Sequence, residues 1–161
     1  MCNPEIVFLD KNVLRAPVNM NIEHKNMKKF NIEHIGLLVK EPVKMAEWYK
    51  NVLGFHIKYS SKTDEFEKSV AFITDKNNEV MLELGKLPDI SPLCEQTSHH
   101  LQLHIAIESD NPDEDMKYLI EKGAKFIEKC PVTMPGDCLI VLNDPWNNCI
   151  QLVKRSKKIN V

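Results

Sequence analysis

The chain has 161 residues, 43% of them hydrophobic and 27% charged, enough apolar material for one packed domain or two small, intimately packed halves. Lys and Arg number 21 against 23 Asp and Glu, a formal net charge of −2. No basic stripe or acidic block disturbs that balance, which excludes the electrostatic footprint of a nucleic-acid binder. No apolar run approaches the roughly 18 residues that a membrane span needs.

Residues 1–28 read as an N-terminal extension. Pro4, Pro17 and several asparagines interrupt them, and the run Ile6-Val7-Phe8-Leu9 is too short for a secretory apolar core. His24 carries no strand pattern around it and is left out of the site. The five cysteines, Cys2, Cys94, Cys130, Cys138 and Cys149, are odd in number and lack a C-x-x-C spacing. They read as reduced thiols of a cytoplasmic protein.

The first module is expected over 29–86. A strand runs from about Ile32 to Val39, with His34 near its start. Glu41-Pro42 marks a helix entry, and Val43, Ala46, Tyr49, Val52 and Leu53 follow at helical spacing. Gly54 ends that helix with the residue a left-handed cap prefers. Strands are expected at Phe55–Tyr59, Lys68–Thr74 and Val80–Leu84, the last two joined by the turn Asp75-Lys76-Asn77-Asn78. Residues 87–99 hold Pro88 and Pro92 without clean periodicity and form the linker.

The second module, 100–155, repeats the order. Leu101, Leu103, Ile105 and Ile107 alternate with Gln102, His104, Ala106 and Glu108, the pattern of a half-buried strand with His104 at its middle. Ser109-Asp110-Asn111-Pro112 opens a helix with Met116, Leu119 and Ile120 as its apolar stripe, and Gly123 stops it. Strands are expected at Ala124–Glu128, Asp137–Leu142 and Cys149–Val153. A basic tail, 156–161, closes the chain.

The halves superpose in sequence. His34 precedes Pro42 by eight residues, as His104 precedes Pro112. Gly54 lies 20 after His34 and Gly123 lies 19 after His104; Glu83 follows His34 by 49 and Gln151 follows His104 by 47. Asp75 and Asp144 each open the turn before the last strand. The fold class is therefore α+β, two tandem βαβββ modules.

With His34-Ile35-Gly36-Leu37-Leu38-Val39, Trp48-Tyr49-Lys50-Asn51-Val52-Leu53-Gly54-Phe55, His104-Ile105-Ala106-Ile107 and Asp144-Pro145-Trp146-Asn147-Asn148-Cys149-Ile150-Gln151-Leu152 on the page, the chain resembles the vicinal-oxygen-chelate superfamily over about residues 30–155. Glyoxalase I, methylmalonyl-CoA epimerase, extradiol dioxygenases and the fosfomycin and bleomycin resistance proteins belong to it. The resemblance implies that the two modules form a half-open, mixed or antiparallel barrel-like cleft, with metal ligands on the first and last strand of each module, which fall on His34, Glu83, His104 and Gln151. Two imidazoles with two oxygen donors suit a divalent first-row ion such as Zn, Ni, Co, Mn or Fe. Glu83, His104 and Gln151 each sit between aliphatic neighbours, and a Glu flanked by Leu82 and Leu84 is costly if turned to the core. His99 and His100 are spare candidates just before the second histidine strand, and His56 is read as a packed or exposed strand residue.

Gln151 departs from the family pattern, in which glyoxalase I and the epimerase carry a glutamate that also serves as a base. An amide oxygen can coordinate a metal but takes no proton at neutral pH. The first shell then carries net charge +1 rather than zero, which weakens metal affinity and leaves a stronger Lewis acid. Extradiol chemistry is disfavoured, because its carboxylate ligand comes from this same strand. Proton transfer falls to Glu83 as the catalytic residue. The expected function is a glyoxalase-like metalloprotein, a lyase or isomerase, acting on a small-molecule substrate with vicinal oxygens. The alternatives are a metal-free binder of a small molecule or antibiotic, with Trp48, Phe72 and Trp146 available as pocket walls, and a metal-dependent dioxygenase or thiol transferase. By analogy the protein is a homodimer, with the site built from one chain or from two. The chain shows no Gly-rich phosphate loop, so no nucleotide cofactor is expected.

Overall fold

A computed structural model describes residues 31–96, 99–132 and 134–159. The N-terminal extension, with His24 and Cys2, lies outside the described residues. The first half runs β1 (Ile35–Leu38), α1 (Pro42–Leu53), β2 (His56–Ser60), β3 (Ser69–Thr74) and β4 (Met81–Lys86). A short helix α2 (Leu93–Gln96) and a 3-10 turn (His100–Gln102) lead into the second half. That half is β5 (Ile105–Glu108), α3 (Pro112–Glu121), β6 (Lys125–Lys129), β7 (Cys138–Asn143) and β8 (Cys149–Lys154). Each half makes one four-stranded mixed sheet, ordered β1-β4-β3-β2 and β5-β8-β7-β6. In each, the first strand lies parallel to the last and the other pairings are antiparallel. The sheets do not close into a barrel.

Alternation assigns the faces. Leu37, Leu82, Leu84, Ala71 and Ile73 of the first sheet, and Ile140, Leu142, Ile150 and Leu152 of the second, are buried in one continuous core. Helix α1 adds Met45, Ala46 and Tyr49, and α3 adds Leu119. Pro42 and Pro112 occupy the first helical turns, where a missing N–H costs nothing. The cap of α1 comes from a distance: Asp64, in the β2–β3 connection, accepts from the Val43 and Lys44 amides at 2.9 Å each, while Glu41 makes no side-chain cap. Asn111 makes none for α3 either. Gly54, at φ 74°, closes α1 in the left-handed conformation.

Two expected strands are shorter than the sequence indicates: β1 spans Ile35–Leu38 rather than 32–39, and β5 starts only at Ile105. Leu101–Leu103 do not join β5; the His99 ring accepts from the Leu101 amide and Gln102 reaches back to the His99 amide, a capping box that winds 100–102 into a 3-10 turn. His104 therefore stands at the entry of β5 rather than at mid-strand, as His34 stands before β1. Among the described residues no helix is long and apolar enough to cross a membrane, and Cys94, Cys130, Cys138 and Cys149 are free thiols.

Side chains of α1 and its flanks join the halves. Trp48 Nε1 donates to the Lys122 carbonyl at 2.8 Å, and Trp146 Nε1 donates to Glu41 Oε2 at 2.8 Å. Both indoles thereby bridge the halves. Tyr49 OH donates to Asp144 Oδ2 at 3.3 Å, and Asn148 Nδ2 donates to Met45 Sδ at 3.5 Å.

Candidate functional site

In the first half, Gly36, Glu83, Phe72 and Tyr59 lie opposite one another across β1, β4, β3 and β2. They therefore share the face turned away from the core. Glu83 Oε2 lies 2.9 Å from His34 Nε2, with about a third of each side chain exposed (35% and 36%). The other ring nitrogen, Nδ1, is hydrogen-bonded to Glu33. That bond, opposed by burial and helped by the charges of Glu33 and Glu83, raises the His34 pKa above its ordinary value. Gly36 has no side chain to crowd the pair; a Cβ there would stand 3.6 Å from Glu83 Oε2. Phe72 meets the His34 ring edge-on at 5.8 Å, and Tyr59 meets Phe72 at 6.4 Å. A cavity of about 460 Å³ adjoins Glu83, lined by Gly36, Leu38, Val70 and Gly85 among others.

The second half brings His104 and Gln151 to a cavity of about 510 Å³, together with Ala106, Glu108, Val153 and Arg155. His104 Nδ1 donates to the Leu101 carbonyl at 3.3 Å. That bond fixes the tautomer and leaves Nε2 as the free acceptor, the arrangement that suits a ligating histidine. Gln151 is buried, at 9% exposure, and bonds the Cys130 thiol. Burial pushes that thiol up, and the Gln151 amide draws it back down. Burial raises the neighbouring Cys149 thiol to about 11, so neither is an ionised nucleophile at neutral pH.

The four sequence-predicted ligands thus form two pairs, His34 with Glu83 and His104 with Gln151, on separate sheets. Among the described residues no three His, Cys, Asp or Glu side chains come together to hold a metal. Each pair supplies one imidazole and one oxygen donor, chemistry that fits a divalent ion. The sequence reading missed Tyr59 and Glu128. Both follow a β-bulge, between Ile57 and Tyr59 on β2 and between Phe126 and Glu128 on β6. Each lies five residues after its helix-ending glycine, Gly54 or Gly123, a matched spacing that does not by itself foretell a bulge. Of the spare histidines, His100 bonds Glu128 at 2.8 Å and His99 caps the 3-10 turn.

Residues 31–152 match the model of the Glyoxalase/Bleomycin resistance protein/Dioxygenase superfamily. No curated protein matches the chain. Solved structures do. A glyoxalase family protein from Bacillus cereus aligns with TM-score 0.64 at 14% identity, covering 81% of this chain and 96% of that one. TnmS3, an antibiotic binding protein from a Streptomyces species, aligns at 0.59 with 19% identity over 81% and 100%. A variant of the fosfomycin resistance protein FosX from Listeria monocytogenes, complexed with Mn(II) and 1S,2S-dihydroxypropylphosphonic acid, aligns at 0.57 with 20% identity over 78% and 90%. At these identities the likeness is one of fold.

Proposed function

Since the chain belongs to the Glyoxalase/Bleomycin resistance protein/Dioxygenase superfamily, we propose that it is a glyoxalase-like, divalent-metal lyase or isomerase acting on a small substrate with vicinal oxygens. Its site is assembled between two copies. The observation that carries this is the division of the donors: His34 and Glu83 meet on one sheet while His104 and Gln151 share a cavity on the other. His34 and Glu83 of one copy, facing His104 and Gln151 of a second, complete a set of two imidazoles and two oxygens and make the protein a homodimer. When bound, the ion supplies Lewis acidity at the substrate's oxygens.

The chain's own residues do the rest. Glu33 and the Leu101 carbonyl hold the two imidazoles by their Nδ1 atoms and keep each Nε2 directed at the site. Glu83, the carboxylate of the pair, moves the substrate proton. Gly36 and Gly85 leave the wall beside Glu83 bare, so the cavity there accepts a compact molecule. The solved complex of FosX with Mn(II) and a dihydroxy compound supports a ligand of this type.

A metal-free binding protein is the second reading. It is favoured by the direct His34–Glu83 bond, which satisfies both groups without an ion, and by the similarity to TnmS3.

The test is subunit complementation. His34→Ala and His104→Ala chains, each expressed alone, bind no stoichiometric metal. Co-expressed with different tags, they form mixed dimers in which one of two sites is intact, so the population recovers about a quarter of wild-type metal. A site held within one chain gives no recovery in the mixture. A wild type that takes up no Zn, Ni, Co, Mn or Fe leaves the metal-free reading.

A further inference from the structure

Gln151, an amide, takes no proton at neutral pH, and the second sheet carries a carboxylate elsewhere on the same face. Val141 on β7 lies opposite both Gln151 on β8 and Glu128 on β6. Cross-strand partners share a face, so the three form a row about 10 Å long at ~4.8 Å per strand. The bulge between Phe126 and Glu128 sets this register, the kind of irregularity that re-aims a side chain. In the first half the matching bulge delivers Tyr59 to the equivalent place.

Glu128 is held there. Its Oε1 lies 2.8 Å from His100 Nε2, with the imidazole 25% and the carboxylate 43% exposed, so the group is anchored yet reachable. The turn that carries His100 runs directly into His104, and Cys130, two residues beyond Glu128, bonds Gln151. The competing carboxylate is Glu108. It lines the cavity with His104 and Gln151, but it is 74% exposed at the end of β5 and its charge is already matched by Lys158 at 3.2 Å.

We infer that Glu128, anchored by His100, is a catalytic acid–base residue of the second-half wall and handles the proton that Gln151 cannot. The inference rests on the proposed function and adds a proton carrier opposite Glu83. For a substrate with a hydroxyl beside a carbonyl, the C–H bond at the hydroxyl-bearing carbon breaks and its proton passes to Glu128 Oε2. The electron pair enters the C=C bond of the enediolate, and the carbonyl oxygen takes the charge. The hydroxyl proton passes by way of Glu83 to the former carbonyl oxygen, and return of the carbon's proton from Glu128 to the neighbouring carbon re-forms a carbonyl at the first carbon, restores both carboxylates and leaves the isomer, with no oxidant or reductant consumed.

The experiment uses full-length, metal-loaded protein and hydroxyacetone in D2O, with deuterium uptake at the hydroxyl-bearing carbon followed by proton NMR. Metal content and thermal unfolding are measured on the same samples. Glu128→Gln is expected to lower exchange about 100-fold or more while keeping its metal and its unfolding temperature. Adding Gln151→Glu to that variant is expected to recover exchange at least about tenfold, because it restores a carboxylate to the row. The inference is overturned by Glu128→Gln exchange within about threefold of wild type, by failure of the double variant to recover, or by the loss falling on Glu108→Gln instead. A wild type that holds metal but exchanges no deuterium also overturns it. A wild type without metal refutes the proposed function first, and this inference falls with it.

Discussion

Asp144 gathers its own turn and bonds helix α1 of the other half, and its removal has a calculable effect. The carboxylate is fully buried. Oδ1 accepts from the Trp146 amide at 2.9 Å and the Asn148 amide at 2.8 Å; Oδ2 accepts from Asn148 Nδ2 at 3.0 Å and Tyr49 OH at 3.3 Å. Asp144→Ala strands four buried donors at about 1 kcal/mol each, giving ~4 kcal/mol. Part of this is offset because burial raises the Asp144 pKa against the opposing pull of its donors, so its ionised form is itself costly. The expected net loss is about 3 kcal/mol, or roughly 10 °C in unfolding temperature, read by urea titration and by thermal scans. Tyr49→Phe removes one donor and is expected to cost about 1 kcal/mol. The pH dependence has a definite sign. A raised folded pKa means that Asp144 contributes most below its unfolded value, and the contribution is lost as pH rises through the folded value. Asp144→Asn lacks this titration, so the wild type should lose stability relative to that variant from acid toward neutral pH. An Asp144→Ala protein within about 1 kcal/mol of wild type would refute the reasoning, since four buried donors would then have found other acceptors.

Further expectations follow from single contacts. Gly54→Ala meets no atom within 4 Å of the new Cβ but forces alanine to φ 74°, and should cost about 1 kcal/mol by thermal unfolding. Trp146→Phe removes an indole donor from Glu41. The Glu41 pKa is lowered first by Lys44 and then by Trp146, so an NMR titration of the variant should find it higher. Stability held above the unfolded Glu41 pKa, and lost as pH falls through the folded one, should shrink accordingly. Gln151→Glu should bind the divalent ion at least about tenfold more tightly, because a second carboxylate neutralises the donor set; equilibrium dialysis against a chelator measures it.

Much of the fold was legible because the sequence states it twice. Pro42 and Pro112 open the helices, Gly54 and Gly123 lie just past their ends, and alternation separates Leu82 and Leu84 from Glu83. The repeat also put a candidate donor on the first and last strand of each half, His34 and Glu83, His104 and Gln151. Three things were not legible. Alternation continues smoothly from Leu101 to Ile107, yet a side-chain bond from His99 wins over the strand ladder for the first turn. The bulges that bring Tyr59 and Glu128 to their faces are events of register, fixed by how β2 and β6 meet their neighbours rather than by any residue type. The separation of the four candidate ligands into two pairs is a fact of topology: each sheet orders its own first strand beside its own last, and residue letters alone do not say which half faces which.

Helix α1 belongs to the first half by chain order, yet Trp48, Tyr49 and Met45 all bond residues of the second. The covalent passage between the halves is therefore not what keeps them together. A protease nick in the segment before α2 should release no fragment under native conditions, and the two pieces should elute together until denaturant separates them. The same logic permits the chain to be circularly permuted there, or divided into two co-expressed peptides that find each other through the helix.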